Sequence, residues 1–113
     1  MRQELDDRLC AKYPSMFVER NASPEESAMC WGFECGDGWY PLIESFCIEV
    51  ERLYSDKREV PVVIKQIKSK CGSLRIHFRN GDVRVQAMVD LVRTLSECID
   101  EELGQLQEPR FER

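Results

Sequence analysis

The stretch that decides the fold of this chain is Met29-Cys30-Trp31-Gly32-Phe33-Glu34-Cys35-Gly36-Asp37-Gly38-Trp39-Tyr40-Pro41. It holds both tryptophans, two of the six cysteines and three of the six glycines of the 113-residue sequence. Glycine permits backbone turns that other residues avoid, and an indole ring gains most by burying its large apolar surface. We therefore predict that this stretch follows one specific backbone path and leads directly into a packed helix.

That helix is the strongest periodic segment of the chain. Its apolar residues at helical spacing are Trp39, Leu42, Ile43, Phe46, Cys47, Val50, Leu53 and Tyr54. Asp37 stands where an N-cap is expected, and Pro41 falls in the first turn, where a helix needs no amide donor. The pattern predicts a helix over residues 38–55, capped by Asp37, with Trp39 in the core.

Two shorter helices are predicted before this stretch. The first apolar residues at helical spacing are Leu5, Leu9 and Tyr13. They predict a helix over residues 2–13, which Pro14 ends. Ser23 followed by Pro24 is a helix-start signal, because serine caps a helix well and proline is favoured at its first position. We therefore predict a short second helix over residues 24–30.

A further periodic segment lies near the C-terminal end. Its apolar residues are Val85, Met88, Val89, Val92, Leu95, Ile99 and Leu106. This stripe predicts a helix over residues 83–106, and the polar residues 107–113 are predicted to fray. A long apolar stripe also offers a route to a homodimer through this C-terminal helix.

Two β-rich segments, residues 60–68 and 74–79, lie between the long helices. In the second, apolar and basic residues alternate strictly: Leu74, Ile76 and Phe78 against Arg75, His77 and Arg79. The turn residues between them are Cys71, Gly72 and Ser73, which favours an antiparallel hairpin. Because an isolated hairpin is marginal in water, its apolar face must lie against helices. We predict one α+β domain over residues 1–113, with three to four helices on one face of a small antiparallel hairpin.

The charge of the chain is unevenly distributed. The net charge is −5, yet residues 60–84 carry six bases and a single acid, Asp82. Such an island is either a solvated surface or a contact for an anionic partner. The residues that we predict to bind a partner are Lys65, Lys68, Lys70, Arg75, His77 and Arg79.

Neither a catalytic set nor a membrane segment is evident in the sequence. His77 is the single histidine, and no cysteine-hydrolase motif accompanies it, so we predict no catalytic residue and no enzymatic activity. No apolar run approaches the ~20 residues of a membrane span. The first eight residues are acidic where a signal peptide would be basic, so we expect a cytoplasmic protein with reduced cysteines.

The run from Cys30 to Trp39 resembles a Cys-Trp-Gly-Phe-Glu-Cys-Gly-Asp-Gly-Trp motif of small, mostly uncharacterised phage and prophage proteins. In those relatives an amphipathic helix follows, and then a segment similar to Lys-Ser-Lys-Cys-Gly-Ser-Leu-Arg, residues 68–75 here. Cys71 stands where phenylalanine is usual in the relatives. The resemblance implies a phage origin and a bacterial host cell, and it implies no particular activity.

Many of these relatives end in a Cys-x-x-Cys-Gly tail, whose two thiolates suit one tetrahedral zinc. The corresponding residues here are Cys98, Ile99, Asp100 and Glu101, so an acid replaces the second thiolate. The candidate zinc ligands are therefore Cys30, Cys35 and Cys98. Because one ligand is lost, we expect buried free thiols and no bound zinc or other cofactor.

Two functions from different classes fit these observations. The first is a small interaction protein that inhibits or modulates a host complex of defence or replication, an expectation that rests on the resemblance. The second is a nucleic-acid-binding or zinc-linked regulatory module that uses the basic hairpin. Stacking of bases on Trp31, Phe33, Trp39 and Tyr40 is disfavoured, because acidic neighbours oppose a phosphate backbone.

Overall fold

The computed structural model describes residues 1–55 and 60–109. It is an α+β fold that contains, within these residues, three α-helices and one three-stranded sheet. The helices are α1 (Gln3–Lys12), α2 (Tyr40–Leu53) and α3 (Val83–Ser96), and the strands are β1 (Phe33–Glu34), β2 (Val63–Lys70) and β3 (Ser73–Arg79). Short 3₁₀ helices cover Ala28–Trp31 and Asp37–Trp39.

Strands β2 and β3 form the antiparallel hairpin that the alternating pattern predicts. Ile67 pairs with Ile76, and Lys68 pairs with Arg75. The turn consists of Cys71 and Gly72, both with positive φ, at 54° and 77°. Two left-handed residues are what a type I′ turn requires, because its twist matches that of the strands that it joins.

The sheet also contains a strand that the sequence does not predict. Strand β1 pairs in parallel with β2, with Phe33 opposite Ile67 and Glu34 opposite Lys68. The sheet is therefore mixed, in the order β1-β2-β3, which corrects the expectation of an antiparallel hairpin alone. A two-residue strand has no periodicity of its own, so only its distant partner reveals it.

One core lies between the apolar face of the sheet and the three helices. Trp39 is only 1% exposed and Phe46 only 2%, and both belong to this core. The sheet contributes Ile64, Ile67 and Leu74, which are completely buried. Strand β3 therefore follows the alternation predicted from the sequence. Its apolar residues lie on the inner face of the sheet and its basic residues lie on the outer face.

The segment before α2 departs from prediction in two respects. Residues 24–30 do not form an α-helix. Backbone bonds from the amides of residues 26 and 27 to Ser23 close a single turn, and Ser27 then caps the 3₁₀ helix Ala28–Trp31. Asp37 does not cap α2 either. Its carboxylate accepts the backbone N–H of Arg2 at 2.8 Å, which ties the start of α1 to the glycine-rich stretch.

The C-terminal helix ends at Ser96, ten positions before the predicted residue 106. The chain then reverses at Gly104, with a φ of 73°, so that Ile99 and Leu106 face each other in an antiparallel bridge. The amide of Gln107 donates to the carbonyl of Cys98 at 2.9 Å, so the predicted frayed tail is bonded at its first residue. Residues 110–113 of that tail lie outside the described part of the chain.

This C-terminal loop, residues 97–107, packs on the glycine-rich stretch. The amide of Gly38 donates to the carbonyl of Glu101 at 2.7 Å, and the amide of Gly36 donates to the Glu101 carboxylate at 2.9 Å. A Cβ atom on Gly38 would lie 2.3 Å from the carbonyl oxygen of Asp100. Glycine is needed at this position because two backbones touch there.

Candidate functional site

The candidate site is the outer face of β2 and β3, turned away from the core. Lys68 and Arg75 are paired on neighbouring strands, and His77 pairs with Gln66 on the same face. His77 is exposed, whereas Lys68 and Arg75 are half-buried. Lys70 is exposed next to the turn. These four residues share the face with Arg79, a fifth of the six residues that the sequence predicts to bind a partner.

The remaining two, Lys65 and Arg79, are bound by a single carboxylate. Glu19, in the loop after α1, accepts a hydrogen bond from Lys65 Nζ at 2.6 Å and forms an ion pair with Arg79. Burial alone would raise the pKa of Glu19, but the bonds and charges of Lys65 and Arg79 outweigh it and lower that pKa. Glu19 therefore ties both cations to the loop, although 49% of the Arg79 side chain stays exposed.

Lys68 and Arg75 differ from that pair. Among residues 1–55 and 60–109, no acidic side chain forms an ion pair with either of them. Glu34 on β1 lies opposite Lys68 in the register and is exposed, so one acidic residue adjoins the basic surface. The outer face is therefore basic but not uniformly so.

A groove of about 320 Å³ lies between β3 and α3, next to the outer face. Its charged lining residues include Arg75 from the strand and Asp90 and Arg93 from the helix. The Nε atom of Arg75 is buried and has no hydrogen-bond partner among the described residues. An unsatisfied buried donor is uncommon in folded proteins and calls for a physical explanation.

The candidate zinc ligands do not form a metal site in the described part of the chain. No group of three or more His, Cys, Asp or Glu residues within it is arranged to hold a metal ion. Cys35 is buried, whereas Cys30 and Cys98 are half-buried. Glu101, which stands where the relatives have their second thiolate, accepts hydrogen bonds from Gly36 and Ser69. Its carboxylate thus joins the loop to the sheet.

The aromatic residues of the glycine-rich stretch do not form a stacking platform. Phe33 is 4% exposed and Trp39 is 1% exposed, so both rings are packed in the core. Tyr40 is half-buried, and Trp31 is the exposed ring of the four, with 64% of its surface exposed. A single exposed ring cannot stack on successive bases as a single-strand binding surface does.

The chain has no match among protein-family models, curated proteins or solved structures. Within the described residues, no helix is both long enough and apolar enough to cross a membrane.

Three charged residues near the site were not part of the sequence prediction. Glu19 reaches Lys65 across 46 positions, and no local pattern signals that contact. Asp90 and Arg93 face β3 because they lie on the flank of α3 next to its buried Val89. A helical-wheel projection of residues 83–96 places both residues on that flank of the helix. It does not reveal that the flank lies beside β3.

Proposed function

We propose that this chain is a small, non-enzymatic interaction protein that binds a macromolecular partner through the outer face of β2 and β3. The observation that supports this most directly is the contrast between two pairs of cations. Lys65 and Arg79 share the carboxylate of Glu19, whereas Lys68 and Arg75 lie side by side without an ion-pair partner in the described residues. Unpaired neighbouring cations on a rigid sheet suit the recognition of carboxylates or phosphates.

The chemistry of the cysteines supports a role other than catalysis. Burial raises the pKa of the Cys10 and Cys35 thiols to about 12, and it also raises the pKa of Cys47. A thiol attacks as its thiolate, so these three groups are poor nucleophiles at neutral pH. His77 lies on the exposed outer face, where it is open to a partner's surface.

A protein partner is favoured over nucleic acid as the occupant of this surface. A phosphate backbone carries a negative charge at every nucleotide, so a strand crossing the outer face would also meet Glu34 and Asp90. A protein surface can place single carboxylates opposite Lys68 and Arg75 and avoid these acids. The acidic net charge of −5 also opposes unspecific binding to nucleic acid.

The resemblance to phage and prophage proteins suggests which partner to seek. It supports a host or phage protein complex in a bacterial cytoplasm as the target, and a role as inhibitor or modulator of host defence or replication. The resemblance rests on residues 30–39 and 68–75. The second of these segments includes both Lys68 and Arg75, so the proposed surface lies partly in the part of the chain that carries the resemblance.

Capture from a bacterial lysate, with and without phage infection, tests this proposal. The bait is the tagged full chain, and the comparison bait carries Lys68→Glu and Lys70→Glu. We expect a protein that is retained by the wild type after nuclease treatment and is lost with the variant. A partner that both baits retain equally would contradict the proposed surface.

A salt titration of the captured complex separates the two classes of partner. A protein partner with a few ion pairs loses affinity gradually as the salt concentration rises. A nucleic-acid partner loses about 10³–10⁵-fold between 50 and 200 mM salt when 6–10 phosphates are contacted. Loss of the complex on nuclease treatment, together with such a steep salt dependence, would favour the nucleic-acid alternative.

A further inference from the structure

The groove between β3 and α3 brings two arginines together, one from each element of the fold, with Asp90 also in its lining. Arg75 and His77 line it from the strand, and Arg93 lines it from the helix. Its volume of about 320 Å³ is large enough for a side chain rather than a folded domain. The apolar part of its lining includes Phe78 and Val89.

The guanidinium of Arg75 forms no ion pair with an acidic residue within residues 1–55 and 60–109. Its Nε atom is shielded from solvent and lacks a hydrogen-bond partner among the described residues. Leaving this donor unpaired disfavours the resting arrangement, because desolvation of the N–H is not compensated. Because Arg75 lines the groove, an acceptor that a partner brings there could satisfy this donor.

From this we infer that the groove binds a carboxylate side chain of the partner protein, with Arg75 as its anchor. The inference rests on the proposed function and names the chemistry of its contact. The Nε and Nη2 donors of arginine match the two oxygens of a carboxylate in a paired, planar geometry. Arg93 adds a second guanidinium from the helix side of the same groove, and His77 adds a ring nitrogen from the strand side.

An isolated carboxylate fits this groove better than a phosphodiester strand. Asp90 lines the groove opposite the strand, so a second negative charge one nucleotide away would be repelled. In an extended peptide, apolar side chains can separate the acidic ones. Such side chains would contact Phe78 and Val89, the apolar part of the lining. The predicted ligand is therefore an extended peptide segment with spaced acidic residues.

Nuclear magnetic resonance of the ¹⁵N-labelled full chain tests this assignment directly, because the arginine Nε–Hε groups give their own signals. The probe is an acetylated eight-residue peptide of valine and serine with glutamate at its second and sixth positions, so that the two charges lie about 13 Å apart in an extended chain. Its controls are the same peptide with glutamine for glutamate, and an eight-nucleotide oligothymidylate. We expect the glutamate peptide to shift the Arg75 Nε–Hε signal and the glutamine peptide to leave it unchanged.

Two variants then isolate the anchor. Arg75→Lys keeps the charge but loses the paired donors, and we expect it to weaken the glutamate peptide about tenfold. Arg79→Lys is the matched control on the same strand face, because Glu19 already binds Arg79. That variant should change the affinity by less than about twofold.

The assignment is overturned by an unmoved Arg75 signal, by equal effects of the two variants, or by tighter binding of the oligothymidylate than of the glutamate peptide. Its failure is distinguishable from failure of the proposed function. Only the groove assignment fails if Arg75→Lys captures the lysate partner as well as the wild type does and Lys68→Glu with Lys70→Glu loses it. If neither set of changes affects capture, the proposed surface itself fails.

Discussion

The indole N–H of Trp39 donates to the carbonyl oxygen of Ile99 at 2.9 Å, across 60 positions of sequence. The amide of Gly38 donates to the carbonyl of Glu101 in the same loop. The glycine-rich stretch and the segment after α3 therefore form one unit, in which side-chain and backbone donors are satisfied by a distant loop. This contact explains why the stretch needs Gly38 and its second tryptophan.

The two tryptophans should respond oppositely to truncation. Trp39→Ala should lower the free energy of unfolding by roughly 3–5 kcal/mol, because it leaves a large cavity in the core and removes the donor to Ile99. Trp31→Ala, the matched control, should change it by less than about 0.5 kcal/mol, because Trp31 is 64% exposed. Urea denaturation measures both. Equal losses for the two variants would contradict the described packing.

Gly38→Ala should destabilise the contact with the C-terminal loop. The added Cβ would lie 2.3 Å from the Asp100 carbonyl oxygen and 2.5 Å from the Gly104 amide nitrogen, so the backbones must separate. Overpacking of this kind costs about 1–3 kcal/mol. Hydrogen exchange should show faster exchange of the amides that this loop protects. Ser45→Ala, at an exposed position of α2, should leave those amides protected.

The ion pairs of Glu19 make stability depend on pH. The pKa of Glu19 is lowered from 4.5 in the folded chain because the bonds and charges of Lys65 and Arg79 outweigh its burial. Glu19 therefore binds a proton at a higher pH in the unfolded chain than in the folded chain. The stability that its ion pairs contribute is present above about pH 4.5 and is lost as the pH falls through the pKa of Glu19 in the folded chain. Urea midpoints at pH 7 and at decreasing acidic pH measure the loss.

Glu19→Gln tests the assignment of that dependence. The variant should be less stable than the wild type at pH 7, and the difference should shrink as the pH falls below 4.5, because wild-type Glu19 is then protonated. Glu26→Gln, an exposed position in the same loop, should follow the wild type throughout. A constant difference between Glu19→Gln and the wild type would show that the carboxylate charge is not the cause.

The homodimer prediction now concerns one flank of α3. Leu91 is 59% exposed and Leu95 is 43% exposed, one helical turn apart, whereas Val89 and Val92 are buried. If two copies associate through this flank, sedimentation velocity at increasing concentration should detect a dimer that Leu91→Glu abolishes. Val18→Glu, at an exposed apolar position outside the helices, should not change the association. A sedimentation coefficient that does not depend on concentration would exclude this route.

Local patterns predicted the elements that depend on local contacts. The alternation over residues 74–79 and the periodicity over 38–55 each match a real element, because one face of each is buried. The same periodicity failed beyond Ser96. Ile99 and Leu106 continue the apolar spacing of a helix, but Gly104 reverses the chain between them and they face each other in a bridge.

Contacts between distant residues account for what the sequence did not reveal. Strand β1 forms because Phe33 pairs with Ile67 of β2. Glu19 accepts a hydrogen bond from Lys65 because the loop after α1 folds back onto β2. Neither contact has a signal within a short window of sequence. The basic surface predicted from the sequence includes Lys65 and Arg79, whose contacts with Glu19 no local pattern indicates, and it does not include Arg93 of the groove lining.

The central claim is that a partner protein binds the outer face of β2 and β3. The decisive measurement is the dissociation constant of the captured partner, by titration calorimetry, for the wild type and two double variants. Lys68→Glu with Lys70→Glu changes the net charge by −4 on the outer face, and Arg8→Glu with Arg52→Glu makes the same change at exposed positions of α1 and α2.

We predict that Lys68→Glu with Lys70→Glu weakens binding by a factor of ten or more, about 1.4 kcal/mol. Arg8→Glu with Arg52→Glu has the same net charge, so any loss of affinity in this variant measures the general electrostatic effect alone. Circular dichroism of both variants should match that of the wild type. Equal weakening by the two variants, or an unchanged dissociation constant for Lys68→Glu with Lys70→Glu, would contradict the account.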